Sequence, residues 1–162
     1  MNAVSDSPAA CPAACVELEV AGYKALLRLL DAERDALLRL DADAIEAAAA
    51  AKQAQVQSLE QLARARKAAL ASSGLPETAE GIAVWMASGG EAVAGGRAWT
   101  TLLDLARAAR NANERNGRVI ARQRGHYDAA LSALLHAAGV PAVYGADGRP
   151  QTGLRGRSLA AI

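Results

Sequence analysis

Apolar residues recur in steps of four and three along the first part of the chain: Val16, Val20, Tyr23, Leu27, Leu30, Arg34, Leu37. That is a heptad seam with one polar interruption, and it predicts a long amphipathic helix over residues 15–40. The polar "DAD" at 41–43 ends the run, and Asp43 with Glu46 reads as a capping box that opens a second helix. A second seam runs through Ile45, Ala49, Lys52, Val56, Leu59, Ala63, Arg66 and Leu70. It predicts a helix over 43–72, stopped by Gly74 and Pro76. Two long helices joined by a few residues are antiparallel neighbours.

The pattern then weakens. "AEGIAVWM" supports one short helix, and Gly89, Gly90, Gly95 and Gly96 interrupt the next stretch, so residues 75–96 read as an irregular linker. A third long helix is expected from near Arg97 to about Ala138. Its apolar steps are Trp99, Leu102, Ala106, Ala109, Asn113, Asn116, Ile120, Tyr127, Leu131 and Leu134. Gly139 and Pro141 close it. The chain thus divides into a lead at 1–13, a helical hairpin at 14–74, the linker at 75–96, a long helix at 97–140 and a tail at 141–162. The expected fold is all-α: a long antiparallel hairpin plus a third long helix, an elongated bundle with disordered ends.

Composition moderates the size of the core. The 162 residues suffice for one domain and 52% are hydrophobic, but alanine supplies much of that share and there is no Phe. Alanine buries little area, and burial stabilises by roughly 25 cal/mol per Å². Modest stability is therefore expected. The net charge of +1 conceals an asymmetry: residues 1–96 carry 8 Lys/Arg against 13 Asp/Glu, and residues 97–162 carry 10 Arg against 4. The two parts could attract each other or meet different partners.

Little in the chain suggests chemistry. Cys11 and Cys15 have no companion cysteine pair or histidine cluster, so neither a zinc site nor a disulfide framework is indicated. His126 and His136 stand alone on the third helix, and no Glu-x-x-His pair accompanies them. No nucleophile elbow, phosphate loop or dinucleotide fingerprint is present. No catalytic residue, metal or cofactor is expected, and no run reaches the roughly 18 apolar residues of a membrane span. A soluble protein of the bacterial cytoplasm with reduced thiols is the expectation. Arg97, Arg107, Arg115, Arg118 and Arg122 fall on the face opposite the apolar stripe of the third helix. Without interleaved aromatics, and in a near-neutral chain, they read as a solvated face rather than a nucleic-acid surface.

Two features point to binding. Asn113 and Asn116 interrupt the stripe of the third helix, either as register devices or because the stripe must accept a partner. Near the C-terminus, "VYGADGR" places Tyr144 on a turn, either as a docking anchor or as a plug folded back on the bundle.

Read together, these residues resemble the FlgN family of flagellar type III export chaperones. The hairpin is similar in layout. "NERNGRVI" resembles the family's Asn-x-x-Asn-Gly motif, carried by Asn113, Asn116, Gly117 and Ile120, and "VYGADG" resembles its terminal motif, carried by Tyr144, Gly145, Asp147 and Gly148. Residues 1–13 have no counterpart. The resemblance implies a cytoplasmic, non-enzymatic chaperone that holds the hook–filament junction proteins FlgK and FlgL until delivery to the export gate. Trp99, Leu102, Ala106, Asn113, Asn116, Gly117 and Ile120 are then expected to contact or border an amphipathic client segment, packed helix-in-groove. Tyr144, Gly145, Asp147 and Gly148 are expected at the export gate. A coiled-coil adaptor or dimerisation scaffold is the rival reading, and homodimerisation is left open.

Overall fold

The computed structural model describes residues 11–88, 91–139, 143–144 and 150–151. Helix α1 spans Pro12–Arg39 and begins inside the expected disordered lead. Proline explains the early start: at the first helical position its fixed φ suits the helix and its missing N–H would have had no partner. The remainder of that lead, residues 1–10, lies outside the described residues.

Helix α2 spans Ala42–Ser72, and its N-cap is Asp41, whose side chain accepts a hydrogen bond from the Ala44 amide at 3.1 Å. The cap thus sits two residues before the expected Asp43. Asp43 falls instead in the first turn, where its charge complements the helix dipole.

Both helices end in the same hydrogen-bonded turn. At the end of α2, Leu75 N–H donates to Leu70 O and Gly74 N–H to Ala71 O, with Gly74 at φ 71°. At the end of α1, Asp41 N–H donates to Ala36 O and Leu40 N–H to Leu37 O. Here a leucine, at φ 56°, occupies the left-handed position that glycine normally takes. For an L-residue with a Cβ that conformation costs about 1–2 kcal/mol. Leu40→Gly is therefore expected to raise stability by about 1 kcal/mol, read as a later urea midpoint; an earlier midpoint would show that the Leu40 side chain contributes packing.

Pairings between α1 and α2 show the antiparallel hairpin. As partners advance along α2 from Lys52 through Gln55 to Arg66, they recede along α1 from Glu33 through Gly22 to Glu19. Gly22 allows the approach, since a Cβ there would stand 2.7 Å from the Leu59 side chain.

The short helix α3 spans Ala79–Ala87 and is capped by Thr78, whose hydroxyl accepts from Gly81 N–H at 3.5 Å. Gly81 must be glycine, because a Cβ would lie 1.9 Å from the Pro76 carbonyl oxygen. Helix α4 spans Glu91–Ala137, six residues longer at its start than the glycine pattern suggests. Gly96 lies within the helix because α3 passes close by: a Cβ would meet Met86 Sδ at 3.2 Å. Helical glycine costs about 1 kcal/mol, which neighbouring packing can offset.

The chain forms two compact units, Met1–Gly117 and Arg118–Ile162, with α4 running through the boundary. The core of the first unit gathers Leu26 and Leu30 from α1, Leu59 from α2, and Ala109 and Ala112 from α4, with Tyr23, Leu27, Val56 and Leu62 packed around them. In the second unit, the two-residue strands β1 (Val143–Tyr144) and β2 (Pro150–Gln151) pair antiparallel. Among the described residues the regular elements are thus helices apart from this one short ladder, and the fold is the all-α helical bundle expected.

Candidate functional site

Two buried carboxylates organise the first unit. Glu33 on α1 is 3% exposed. One of its oxygens accepts from Lys52 Nζ of α2 at 2.6 Å, and the other accepts from Asn116 Nδ2 of α4 at 2.9 Å. Asn116 Nδ2 also donates to the Leu30 carbonyl at 2.8 Å. Glu19, equally buried, accepts from Arg66 Nε of α2 at 2.6 Å, and the Arg66 guanidinium lies 5.0 Å from the centroid of the Trp99 ring on α4. Each cluster thus joins all three long helices. Burying a charge is costly unless it is paired and hydrogen-bonded. Among the described residues, no buried side-chain polar atom lacks a partner.

These contacts explain features that periodicity registers without interpreting. Lys52 and Arg66 belong to the α2 seam because each faces a buried glutamate. On α1 the polar interruption is Glu33 and not the expected Arg34, which is exposed. Either residue breaks the heptad equally well as a pattern; only Glu33 finds a cation and an amide.

The expected stripe of α4 is split between interior and surface. Leu102 and Asn116 are buried against the hairpin, Trp99 and Ala106 are half-buried, and Asn113, Gly117 and Ile120 are exposed. Asn113 Oδ1 lies 3.4 Å from Lys52 Nζ, at the edge of the Glu33 cluster. The two asparagines therefore differ: one is a satisfied buried amide and the other faces solvent. A Cβ on Gly117 or Gly125 would meet nothing within 4 Å, so packing within the described structure requires neither glycine.

Past Gly117 the stripe continues on the surface. Ile120 is 45% exposed, Tyr127 61%, Leu131 50% and Leu134 69%. Steps of seven, four and three keep these residues within about a 60° arc of the helix. The sequence identified Tyr127, Leu131 and Leu134 as apolar steps; their exposure, which makes them a candidate binding face, depends on what packs against them.

Tyr144 lies in β1, its backbone paired with Pro150. Gly145, Asp147 and Gly148 lie outside the described residues. Among the described residues, no group of His, Cys, Asp and Glu could hold a metal ion, and no helix is long and apolar enough to cross a membrane. Cys15 is buried, and burial raises its thiol pKa above the ordinary value, assisted by nearby Glu19 and Cys11 and opposed by Arg66. Such a thiol is a poor nucleophile at neutral pH.

Comparison with known proteins identifies the architecture. The family model for the FlgN protein matches residues 12–152, from the first residue of α1 to just past β2. The chain belongs to the FlgN family. This is a family of flagellar export chaperones. No curated protein and no solved structure gives a significant match.

Proposed function

We propose that this FlgN-family protein is a cytoplasmic chaperone of the flagellar type III export system. It binds the C-terminal amphipathic segments of hook–filament junction proteins of the FlgK and FlgL type, prevents their early assembly, and delivers them to the export gate. The observation that carries this reading is the uncovered apolar stripe of α4, from Ile120 to Leu134, on a helix whose first half is fixed to the hairpin. A client helix laid on that face would bury four large side chains with no need to open the core. The other positions read from the sequence as client contacts, Trp99, Ala106, Asn113 and Gly117, lie earlier on α4, in the first unit, and are proposed as separate contacts. Leu102 and Asn116 act beneath, holding α4 in register. Co-purification from a flagellated host tests the assignment: junction proteins should accompany the tagged chain, and their absence from the eluate would contradict it.

Export-gate docking is proposed for the terminal motif, Tyr144, Gly145, Asp147 and Gly148. Tyrosine combines a large contact area with a hydroxyl at low entropic cost. Tyr144→Ala should weaken gate binding by about 2 kcal/mol, the usual scale for a buried anchor, while client affinity and melting temperature hold. A lower melting temperature with unchanged gate affinity would instead make Tyr144 an internal plug.

A further inference from the structure

Two features of α4, both within the first unit, are not required by the fold. The first is the orientation of the Asn113 amide. Its Oδ1 accepts from Lys52 Nζ at 3.4 Å. An ammonium only donates, so the amide turns its oxygen to Lys52 and its NH2 group elsewhere. Asn113 is exposed, and that group is therefore presented at the surface. Lys52 is fixed in turn, because its Nζ donates to the buried Glu33 Oε1 at 2.6 Å. The second Glu33 oxygen is taken by Asn116 Nδ2 at 2.9 Å. The cluster thus uses its acceptors inside and presents donors outside. The second feature is Gly117, four residues and one turn beyond Asn113 on the same side of the helix. Gly22, Gly81 and Gly96 each make room for a neighbouring group. Gly117 makes room for nothing among the described residues, although glycine is a poor helix former.

We propose that Asn113 and Gly117 form a subsite for an acidic side chain of the client, with Lys52 holding the amide in orientation. The bare backbone at Gly117 admits the side chain, and Asn113 Nδ2 donates to its carboxylate. The chemistry follows from what a docked helix has to offer. Its interior backbone carbonyls are already bonded within the helix, so its free acceptors are side-chain oxygens. Among these a carboxylate makes the strongest hydrogen bond, and the Lys52 side chain, 26% exposed, adds positive charge beside it. The subsite favours a client helix with an aspartate or glutamate in the face it lays on α4. Asn116 holds the helix; Asn113 reads the client. This inference rests on the client assignment above.

Calorimetric titration of the full chain with a synthetic C-terminal segment of a junction protein tests it. N113D keeps an oxygen for Lys52 and removes the donor. It should melt no lower than the wild type and bind about tenfold more weakly, the scale of one hydrogen bond to a charged group. G117A should melt higher, because alanine is the better helix former, and bind several-fold more weakly, because its methyl group fills the space. G125A is the control: its glycine also stands in open space, so it should melt higher and bind as the wild type does. Replacing the acidic residues of the segment by alanine, one at a time, should find one whose loss weakens binding to the wild type but not to N113D. K52Q should shrink that discrimination, a ratio that lower stability alone leaves unchanged. N113D binding as tightly as the wild type, or no acidic position that depends on Asn113, would overturn the carboxylate contact. G117A binding as tightly as G125A would overturn the role of the glycine, and undiminished discrimination in K52Q would remove Lys52 from the subsite. A segment that fails to bind the wild type would remove the client assignment and this inference with it.

Discussion

Glu33→Ala is expected to lower the unfolding free energy by about 3 kcal/mol, within the range for removing one member of a buried ion pair. The carboxylate holds two donors from two helices, Lys52 Nζ and Asn116 Nδ2. Its loss leaves a part-buried ammonium without its counter-charge and takes away one of the two acceptors of the buried amide. Urea unfolding measures the effect, and a change below about 1 kcal/mol would place the pair with exposed surface ion pairs. The same geometry fixes the sign for the asparagines. From the sequence, replacing Asn113 and Asn116 by leucine should stabilise the bundle by removing buried amides. In the structure Asn116 fills a carboxylate oxygen and a backbone carbonyl, so Asn116→Leu should cost about 1–3 kcal/mol. Asn113 is exposed, and Asn113→Leu should be close to neutral.

The second large effect is on binding. Replacing Tyr127, Leu131 and Leu134 together by serine removes the distal apolar stripe without touching the core. Stability should change little, because these side chains already face water. Client affinity should fall by about a hundredfold or more, since each well-buried anchor of an interface contributes on the order of 2 kcal/mol and 1.4 kcal/mol is tenfold. Calorimetric titration with a junction-protein segment reads the affinity, and thermal unfolding checks the fold. An affinity within a few-fold of wild type would move the client site off the distal stripe.

Most of the fold was legible because heptad spacing and strong terminators coincide. Gly74 and Pro76 close α2, and Gly139 closes α4 at φ 69°. Three features were harder to read. Pro12 reads as a breaker in a polar lead, yet at the first turn it starts a helix. The glycines before Arg97 read as punctuation, yet Gly96 sits inside α4 where Met86 approaches. The choice between Glu33 and Arg34 as the polar member of the α1 seam could not be made from spacing, because the answer lies in Lys52 and Asn116, 19 and 83 residues away.

The candidate site was legible as a helix face and not as a division of labour along it. Spacing marks Leu102, Asn116, Ile120 and Leu134 as one stripe. Only packing separates the members that hold α4 to the hairpin from those left uncovered. Alanine at 109 and 112 brings α4 close to the hairpin, and the stripe loses its cover beyond Asn116.

The most direct test of the central claim is a titration of the full-length wild-type chain with the isolated C-terminal segment of a FlgK-type junction protein. It should combine calorimetry for stoichiometry with hydrogen exchange along α4. Saturable one-to-one binding is expected, with new protection concentrated between Ile120 and Leu134 and little change at the Glu33 cluster. A chain that forms a stable oligomer and takes up no segment would contradict it and favour a coiled-coil scaffold instead.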